Sequence, residues 1–251
     1  MDRFGSSRLR IVWAGICLLL TGLVLAGVQG LSADGSQLTV LGTTVSMTTF
    51  DDPKAYVVQN LGRIIYTIAP AVILLGGILP LGEWLAAPAR GERVKGLLLG
   101  TAMAFGHGLF LSQLVMLPML AAGYRLLGHL VTPELLLADL NACVLGLQLL
   151  LWAAALGLLL KSNRGLAVLI AYGLNAVGHL LTWGVEFLDV LELPKGVARA
   201  MALTAKALPS DQLPTDPLAL TALPLSLGAP LALAFLLLLL PGGKSGKRSK
   251  G

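Results

Sequence analysis

Residues 140–185 read LNACVLGLQLLLWAAALGLLLKSNRGLAVLIAYGLNAVGHLLTWGV, two apolar runs (140–160 and 165–185) joined by the basic tetrapeptide 161–164. Neither run contains Asp, Glu, Lys or Arg. A helix rises about 1.5 Å per residue and the hydrocarbon core of a bilayer is about 30 Å thick, so about 20 apolar residues cross it. Each run therefore predicts one transmembrane helix, and the basic link predicts a tight turn between the two.

Four further runs also lack Asp, Glu, Lys and Arg, namely 11–29, 64–82, 97–124 and 218–240. All six reach the spanning length, and together they make up more than half of the chain. Only 12% of the residues are charged and the mean hydropathy is +0.82, whereas a soluble domain carries about 25% charged residues. We therefore predict an all-α fold, a polytopic membrane protein with six transmembrane helices.

The six runs leave little chain for a soluble domain, which excludes a membrane-anchored enzyme with a large head. Residues 1–241 are predicted to form a single transmembrane domain, and residues 242–251, GGKSGKRSKG, a flexible basic tail. The first run, 11–29, follows three arginines, as the apolar part of a signal peptide would. It is nevertheless long enough to span the bilayer, so we expect a retained helix.

The basic residues orient the predicted helices. If the two termini share one side, the segments on that side hold two thirds of the 18 Lys and Arg and are 1–10, 83–96, 161–164 and 241–251. The opposite segments are together more than twice as long, hold the remaining third and are 30–63, 125–139 and 186–217. Because basic residues stay on the cytoplasmic side, both termini are predicted to be cytoplasmic, in a bacterial-type inner (plasma) membrane. The basic character then indicates contact with anionic membrane lipid, and not with nucleic acid.

Two outer segments carry signs of local structure. Residues 36–50, SQLTVLGTTVSMTTF, are rich in Thr and Val around a glycine, which predicts a short hairpin. Pro53 predicts that the next helix begins outside the membrane. After Pro194, apolar residues at helical spacing predict a short helix over 195–207 that rests at the outer interface, with one face formed by Val197, Met201, Thr204 and Leu208.

Sequence motifs for catalysis are missing from the chain. It contains no Walker A sequence, no GxGxxG before a helix, no HExxH and no CxxC. Cys17 and Cys143 both lie inside apolar runs, where cysteine acts as a small packing residue. We therefore expect no enzyme activity, no catalytic or metal-binding residue and no cofactor of the chain's own.

Four polar side chains lie inside the predicted spans, and polar groups there usually face the interior of a helix bundle. They are His107, Gln113, Asn175 and His179. Hydrogen bonding between helices is the favoured interpretation. Two alternatives remain open: a lining for a transport path, and ligation of a redox cofactor by the two histidines.

The predicted inner segment between the second and third spans, 83–96, alternates acidic and basic residues around Pro88. A simple positive-inside anchor would need only Arg and Lys. The alternation favours a surface that contacts another protein, and its candidate residues are Glu83, Arg90, Glu92 and Arg93.

This segment resembles a known family. The run from Glu83 through Pro88-Ala89-Arg90 to Lys95-Gly96 is similar to the loop after the second helix of type-2 ABC transporter permeases. There an acidic residue is followed by a Pro-x-Arg stretch and a Gly-Lys-like start to the third helix. Residues 156–178, LGLLLKSNRGLAVLIAYGLNAVG, resemble the junction of the fourth and fifth helices, and the Leu-Pro-rich stretch 208–217 resembles the return before the last span. Over residues 1–241 the chain resembles a divergent member.

The resemblance implies a permease, the transmembrane subunit that forms the translocation path of an ABC-type transporter. It implies a separate ATP-binding cassette ATPase subunit as the only binder of ATP, contacted through 83–96, and a second permease copy or a paralogue. The alternative is a non-transporting integral membrane subunit of a larger complex, including a redox subunit with haem at His107 and His179. A membrane-embedded enzyme acting on lipid is disfavoured, because the spans show no carboxylate or histidine pair at a suitable depth.

Overall fold

The computed structural model describes residues 3–34, 37–40, 43–46, 53–85, 94–128, 133–160, 163–186, 194–209 and 223–239. Within these ranges the chain is predominantly helical. The helices are α1 (Arg3–Val28), α2 (Pro53–Leu85), α3 (Thr101–Leu127), α4 (Pro133–Leu159), α5 (Arg164–Glu186), α6 (Lys195–Ala207) and α7 (Leu223–Leu239). A π-helical turn, Gly96–Gly100, precedes α3. The strands are β1 (Leu31–Asp34), β2 (Gln37–Val40) and β3 (Thr43–Ser46).

Four helical segments are long and apolar enough to cross a membrane, namely Val58–Ile78, Gly96–Leu126, Pro133–Leu159 and Gly165–Gly184. They correspond to the second to fifth predicted spans. The apolar parts of the first and last helices, Arg10–Ala26 and Pro224–Leu239, are shorter within the described residues. These four helices are typical of an integral membrane protein, and the two additional crossings stay a prediction.

Helices α2 and α4 run parallel through the centre of the bundle. A Cβ built at Gly62 would lie 3.6 Å from the Cβ of Ala138, and one built at Gly77 would lie 3.0 Å from a methyl group of Leu150. The residue numbers rise together along both helices, so the helices share one direction. Helix α3 packs on α2 in the opposite direction.

The closest approach in the bundle is at Ile73 of α2, whose side chain is fully buried. A Cβ built at Gly108 of α3 would overlap the carbonyl oxygen of Ile73 and lie 2.9 Å from its Cα. A Cβ built at Gly146 of α4 would lie 2.8 Å from Ile73 Cδ1. Two glycines thus let two helices contact one isoleucine from both sides, as small residues do in membrane bundles.

Helix α1 packs along α3 and runs parallel to it. The hydroxyl of Thr21 donates to the carbonyl of Cys17 in its own helix at 2.7 Å and also lies 3.3 Å from the carbonyl oxygen of Leu114 in α3. Further along, the guanidinium of Arg125 donates to the carbonyl of Gln29. Cys17, 1% exposed, is buried in a cluster with Val72 and Leu111. The prediction that Cys17 is a packing residue is therefore confirmed.

A three-stranded antiparallel sheet in the order β1-β2-β3 follows α1. Leu31 pairs with Val40 across the first ladder, and Val40 pairs with Thr43 across the second. The predicted hairpin is therefore extended by one strand, because Leu31–Asp34 also pairs. Strand β1 packs against α3, which places the sheet beyond the end of α1.

Helix α6 forms over the predicted residues, but its contacts place it alongside α5. Met201 Cε lies 3.7 Å from where a Cβ of Gly184 would be, and the side-chain amide of Asn175 donates to the carbonyl of Pro209 at 3.0 Å. Numbers rise along α6 as they fall along α5, so the two helices are antiparallel. The helix therefore descends beside α5 by about 14 Å instead of resting across the helix ends.

The face of α6 that packs on the bundle matches the predicted one only in part, because Thr204 is exposed. Ala205 and Leu208 are buried, and Met201 is half-buried, whereas Val197 is 46% exposed. Small residues on this face allow α6 to pack directly on α5 and α7. Neighbouring helices therefore bury the face of α6 that the sequence pattern predicted to lie at the lipid interface.

The first prediction concerns the approach at Ile73. Gly108→Ala is expected to lower the free energy of unfolding by about 1–3 kcal/mol, because the new methyl group meets backbone atoms that cannot move aside. Gly106→Ala, where a Cβ would meet nothing within 4 Å, is the matched control. It should leave stability unchanged or raise it by up to about 1 kcal/mol. Thermal unfolding of the purified protein in detergent measures both.

Ile73→Ala provides the second arm of this experiment. Gly146→Ala meets side-chain atoms of Ile73, so part of its cost should disappear in the Ile73→Ala background. Gly108→Ala meets the backbone, so its cost should persist there. Equal costs for Gly108→Ala and Gly106→Ala would contradict the close approach.

Candidate functional site

The predicted coupling residues lie at the edge of the described chain. Glu83 belongs to the last turns of α2, which ends at Leu85. Arg90, Glu92 and Arg93 lie outside the described residues. Their role therefore stays a prediction.

A hydrogen-bonded pair connects α3 and α4 through Gln113 and Asp139. The amide nitrogen of Gln113 donates to both carboxylate oxygens of Asp139, at 3.1 and 3.0 Å. The same nitrogen lies 3.8 Å from the sulfur of Cys143, one turn further along α4. Among the described residues, only Gln113 donates a hydrogen bond to this carboxylate. A carboxylate can accept about four hydrogen bonds, so this one is only partly satisfied.

Asp139 is a candidate functional residue inside α4, whereas the predicted topology put it in the outer segment 125–139. Helix α4 begins at Pro133, six residues before Asp139, so this carboxylate lies about 9 Å inside the helix. The boundary was wrong because the prediction ended each span at its first charged residue. Pro133-Glu134, a proline and an acid suited to the first turn of a helix, was the signal for the earlier start.

The surroundings of Asp139 are apolar and open. Leu136 and Leu140, on the same part of α4, are 61% and 59% exposed. An ionisable side chain beside lipid-facing residues is costly and marks a functional position in many membrane proteins. Helix α4 therefore contains a carboxylate that the predicted span 140–160 did not include.

A second polar contact joins α4 to α7. The amide nitrogen of Gln148 donates to the hydroxyl of Ser226 at 3.0 Å, and both residues are buried. The amide oxygen of Gln148 has no hydrogen-bond partner in the described part of the chain. The indole nitrogen of Trp152, one turn further along α4, has none there either.

The two histidines lie on different helices, whereas Asn175 is on the same helix as His179, four residues before it. Asn175 holds the end of α6 through the carbonyl of Pro209, so it connects helices as expected. His107 lies on α3, which packs on α1 and α2, while His179 lies on α5, which packs on α4 and α6. The Nε2 atom of His107 is buried without a partner among the described residues.

The positions of the histidines bear on the haem alternative. One haem held by both imidazoles needs a face that the two helices share. Here the main contacts of α3 are with α2 and α1, and those of α5 are with α4 and α6. This placement lends no support to haem at His107 and His179. Within the described residues no three His, Cys, Asp or Glu side chains come together as metal ligands would.

Comparisons of the chain with protein-family models, with curated proteins and with solved structures found no match.

The second prediction tests the pair between α3 and α4. Gln113→Leu should lower the free energy of unfolding by about 1–3 kcal/mol, because it leaves a partly buried carboxylate without its donor. Adding Asp139→Leu should recover part of that loss, which gives a coupling of about 1–2 kcal/mol in the double-mutant cycle. Denaturant unfolding in detergent measures all four proteins.

Thr67→Val is the control for this cycle. The hydroxyl of Thr67 donates at 2.8 Å to the carbonyl of Arg63 in its own helix, so it joins no two helices. Thr67→Val should change the free energy of unfolding by no more than about 0.5 kcal/mol. Simple additivity of the Gln113 and Asp139 substitutions would show that the pair contributes nothing.

Proposed function

We propose that the chain is the transmembrane, permease-type subunit of an ABC transporter in a bacterial-type plasma membrane. In this proposal it crosses the membrane six times with cytoplasmic termini, forms part of the translocation path and relies on a separate ATPase subunit. The observation that carries the proposal is the charged connection between α2 and α3. Its residues resemble the corresponding loop of type-2 permeases.

The helix directions support a coupling role for that connection. Because α2 is antiparallel to α3 and parallel to α4, the α2–α3 and α4–α5 connections follow helices that end at the same face. Both connections are basic, with Arg90, Arg93 and Lys95 in one and Lys161 and Arg164 in the other. By the positive-inside rule this face is the cytoplasmic one, where an ATPase would bind.

The outer surface of the bundle supports a paired assembly in lipid. Only 17% of the most apolar window of α5 is buried, against 67% for α4. On α1, Ile11, Leu19 and Leu23 are each more than 60% exposed. Such faces need lipid or another membrane helix around them, as a permease paired with a second copy or paralogue would have.

The third prediction concerns orientation. In a background with Cys17→Ala and Cys143→Ala, a cysteine introduced by Ser36→Cys should react with an impermeant thiol reagent on intact cells. A cysteine introduced by Ser162→Cys or Ser245→Cys should react only after the cells are opened. Reaction of the latter pair from outside would reverse the proposed orientation.

The fourth prediction tests the ATPase contact. Arg90→Glu combined with Arg93→Glu places like charges against acidic residues of the partner. A buried charge pair that is broken costs about 2–5 kcal/mol, and a pair at the rim well under about 1 kcal/mol. The variant should reach the membrane at normal abundance, because Lys95 and the other inner basic residues preserve the orienting bias. It should lose its ATPase partner in co-purification.

Lys247→Glu combined with Arg248→Glu in the tail is the control, with the same change of charge away from the loop. It should retain the partner. If both variants retain it equally, the loop is only an anchor and the permease proposal loses its main support.

A further inference from the structure

The ends of α6 and α7 meet at the middle depth of the bundle. Leu160 and Asn163 are the two ends of the α4–α5 turn. Gln148 lies twelve residues before Leu160, and Asn175 lies twelve residues after Asn163. Both side chains are therefore about 18 Å from that turn, close to the middle of a bilayer core about 30 Å thick. Asn175 bonds the carbonyl of Pro209 after α6, and Gln148 bonds Ser226 in the first turn of α7.

Helix α7 runs from the level of Gln148 to the α4–α5 turn, which is only half of the thickness of the bilayer core. From Ser226 it has thirteen residues left to Leu239, or about 20 Å. Its buried Ala234 and Leu238 join the cluster that contains Leu156 and Ala167, beside the turn. Pro224 in its first turn fits a helix start, since proline is favoured there. Helix α6 covers the other half, along α5.

Two short helices that share one depth in this way form a discontinuous membrane segment. In membrane transporters such breaks supply polar backbone and side-chain groups at the midplane, where a substrate can bind. We call this place the α6–α7 junction, defined by Gln148, Trp152, Asn175, Pro209 and Ser226.

The junction contains one acceptor and one donor that the described chain leaves unsatisfied. The amide oxygen of Gln148 is buried in a residue only 3% exposed, and the indole N–H of Trp152 is also buried. They lie four residues apart on α4, so both side chains project from the same face of the helix. Buried polar groups in lipid are normally paired, so these two call for a bound group between or beside them.

The five residues that define the junction carry no charge. The nearest carboxyl group on α4 is that of Asp139, nine residues before Gln148, or about 14 Å along the helix. A charged ligand at this depth would lack a counter-charge from these residues, and burial of an unpaired charge is strongly unfavourable. A ligand here is therefore uncharged, and it must donate to Gln148 and accept from Trp152.

We propose that the α6–α7 junction binds a small uncharged molecule with a hydroxyl or primary amide group, which donates to the side-chain oxygen of Gln148 and accepts from the indole N–H of Trp152. Both groups carry a donor and an acceptor within a few ångströms of each other. This site does not depend on an ATPase partner, and it defines a substrate chemistry whether or not the chain is an ABC permease.

The test uses the full chain in lipid nanodiscs with Trp152 as its single tryptophan, after Trp13→Phe, Trp84→Phe and Trp183→Phe. Acetamide and glycerol, tested separately, are the amide and hydroxyl probes. We expect one of them to change the fluorescence of Trp152 along a saturating curve, and the responding probe identifies the group. A linear response to both, with no saturation, would overturn the proposal and leave only exchangeable water at the junction.

Gln148→Leu in the same background should raise the half-saturating concentration by about tenfold or more, the size expected for one lost hydrogen bond. Gln113→Leu, which removes an amide side chain on α3, is the control. Its half-saturating probe concentration should stay within about twofold of that of the parent. An unchanged response in Gln148→Leu would overturn the proposal. The response of the parent decides the matter even if a variant fails to fold, and co-purification of an ATPase is scored separately.

Discussion

The approach of α2 to both α3 and α4 at Ile73 is the contact on which the remaining helices depend. Lipid is as apolar as the helices, so their association relies on close packing that small residues permit. Gly108 and Gly146 bring two helices against the same isoleucine. The other helices are then placed by what they pack on: α1 lies on α3, and α5 and α7 lie on α4. A change in the distance at Ile73 would therefore move helices that never touch it.

The polar contacts in the bundle fix helix register more than they supply energy. Arg125 of α3 connects to the end of α1, Gln113 connects α3 to α4, and Gln148 connects α4 to α7. Such bonds between membrane helices average about 0.6 kcal/mol, far less than the packing of a whole helix. These bonds are directional, so a helix that slid along its neighbour would break the hydrogen bond between them.

The positions of the four long spans could be predicted from the sequence, because the length of an apolar run is set by bilayer thickness alone. The helix over Lys195–Ala207 was predictable for a different reason, because apolar residues recur at helical spacing after Pro194. Asp139 was misplaced because the predicted span ended at its first charged residue, although Pro133 and Glu134 indicated an earlier start of the helix. The direction of α6 was also missed, since its small, weakly apolar face fits either lipid or another helix. Glycines such as Gly108 gave no signal without a partner helix.

The relation between α6 and α7 explains polar residues that otherwise look unfavourable. A break in a membrane-spanning segment leaves backbone groups without their helical partners, and such backbone is tolerated only where protein encloses it. In the proposed crossing by α6 and α7, the carbonyl of Pro209 is one such group, and Asn175 of α5 satisfies it. Gln148 serves the first turn of α7 from the opposite helix at the same depth. Two amide side chains thus lie at the depth where α6 ends and α7 begins. The oxygen of Gln148 remains after this requirement is met, and it is therefore the atom left over for a ligand.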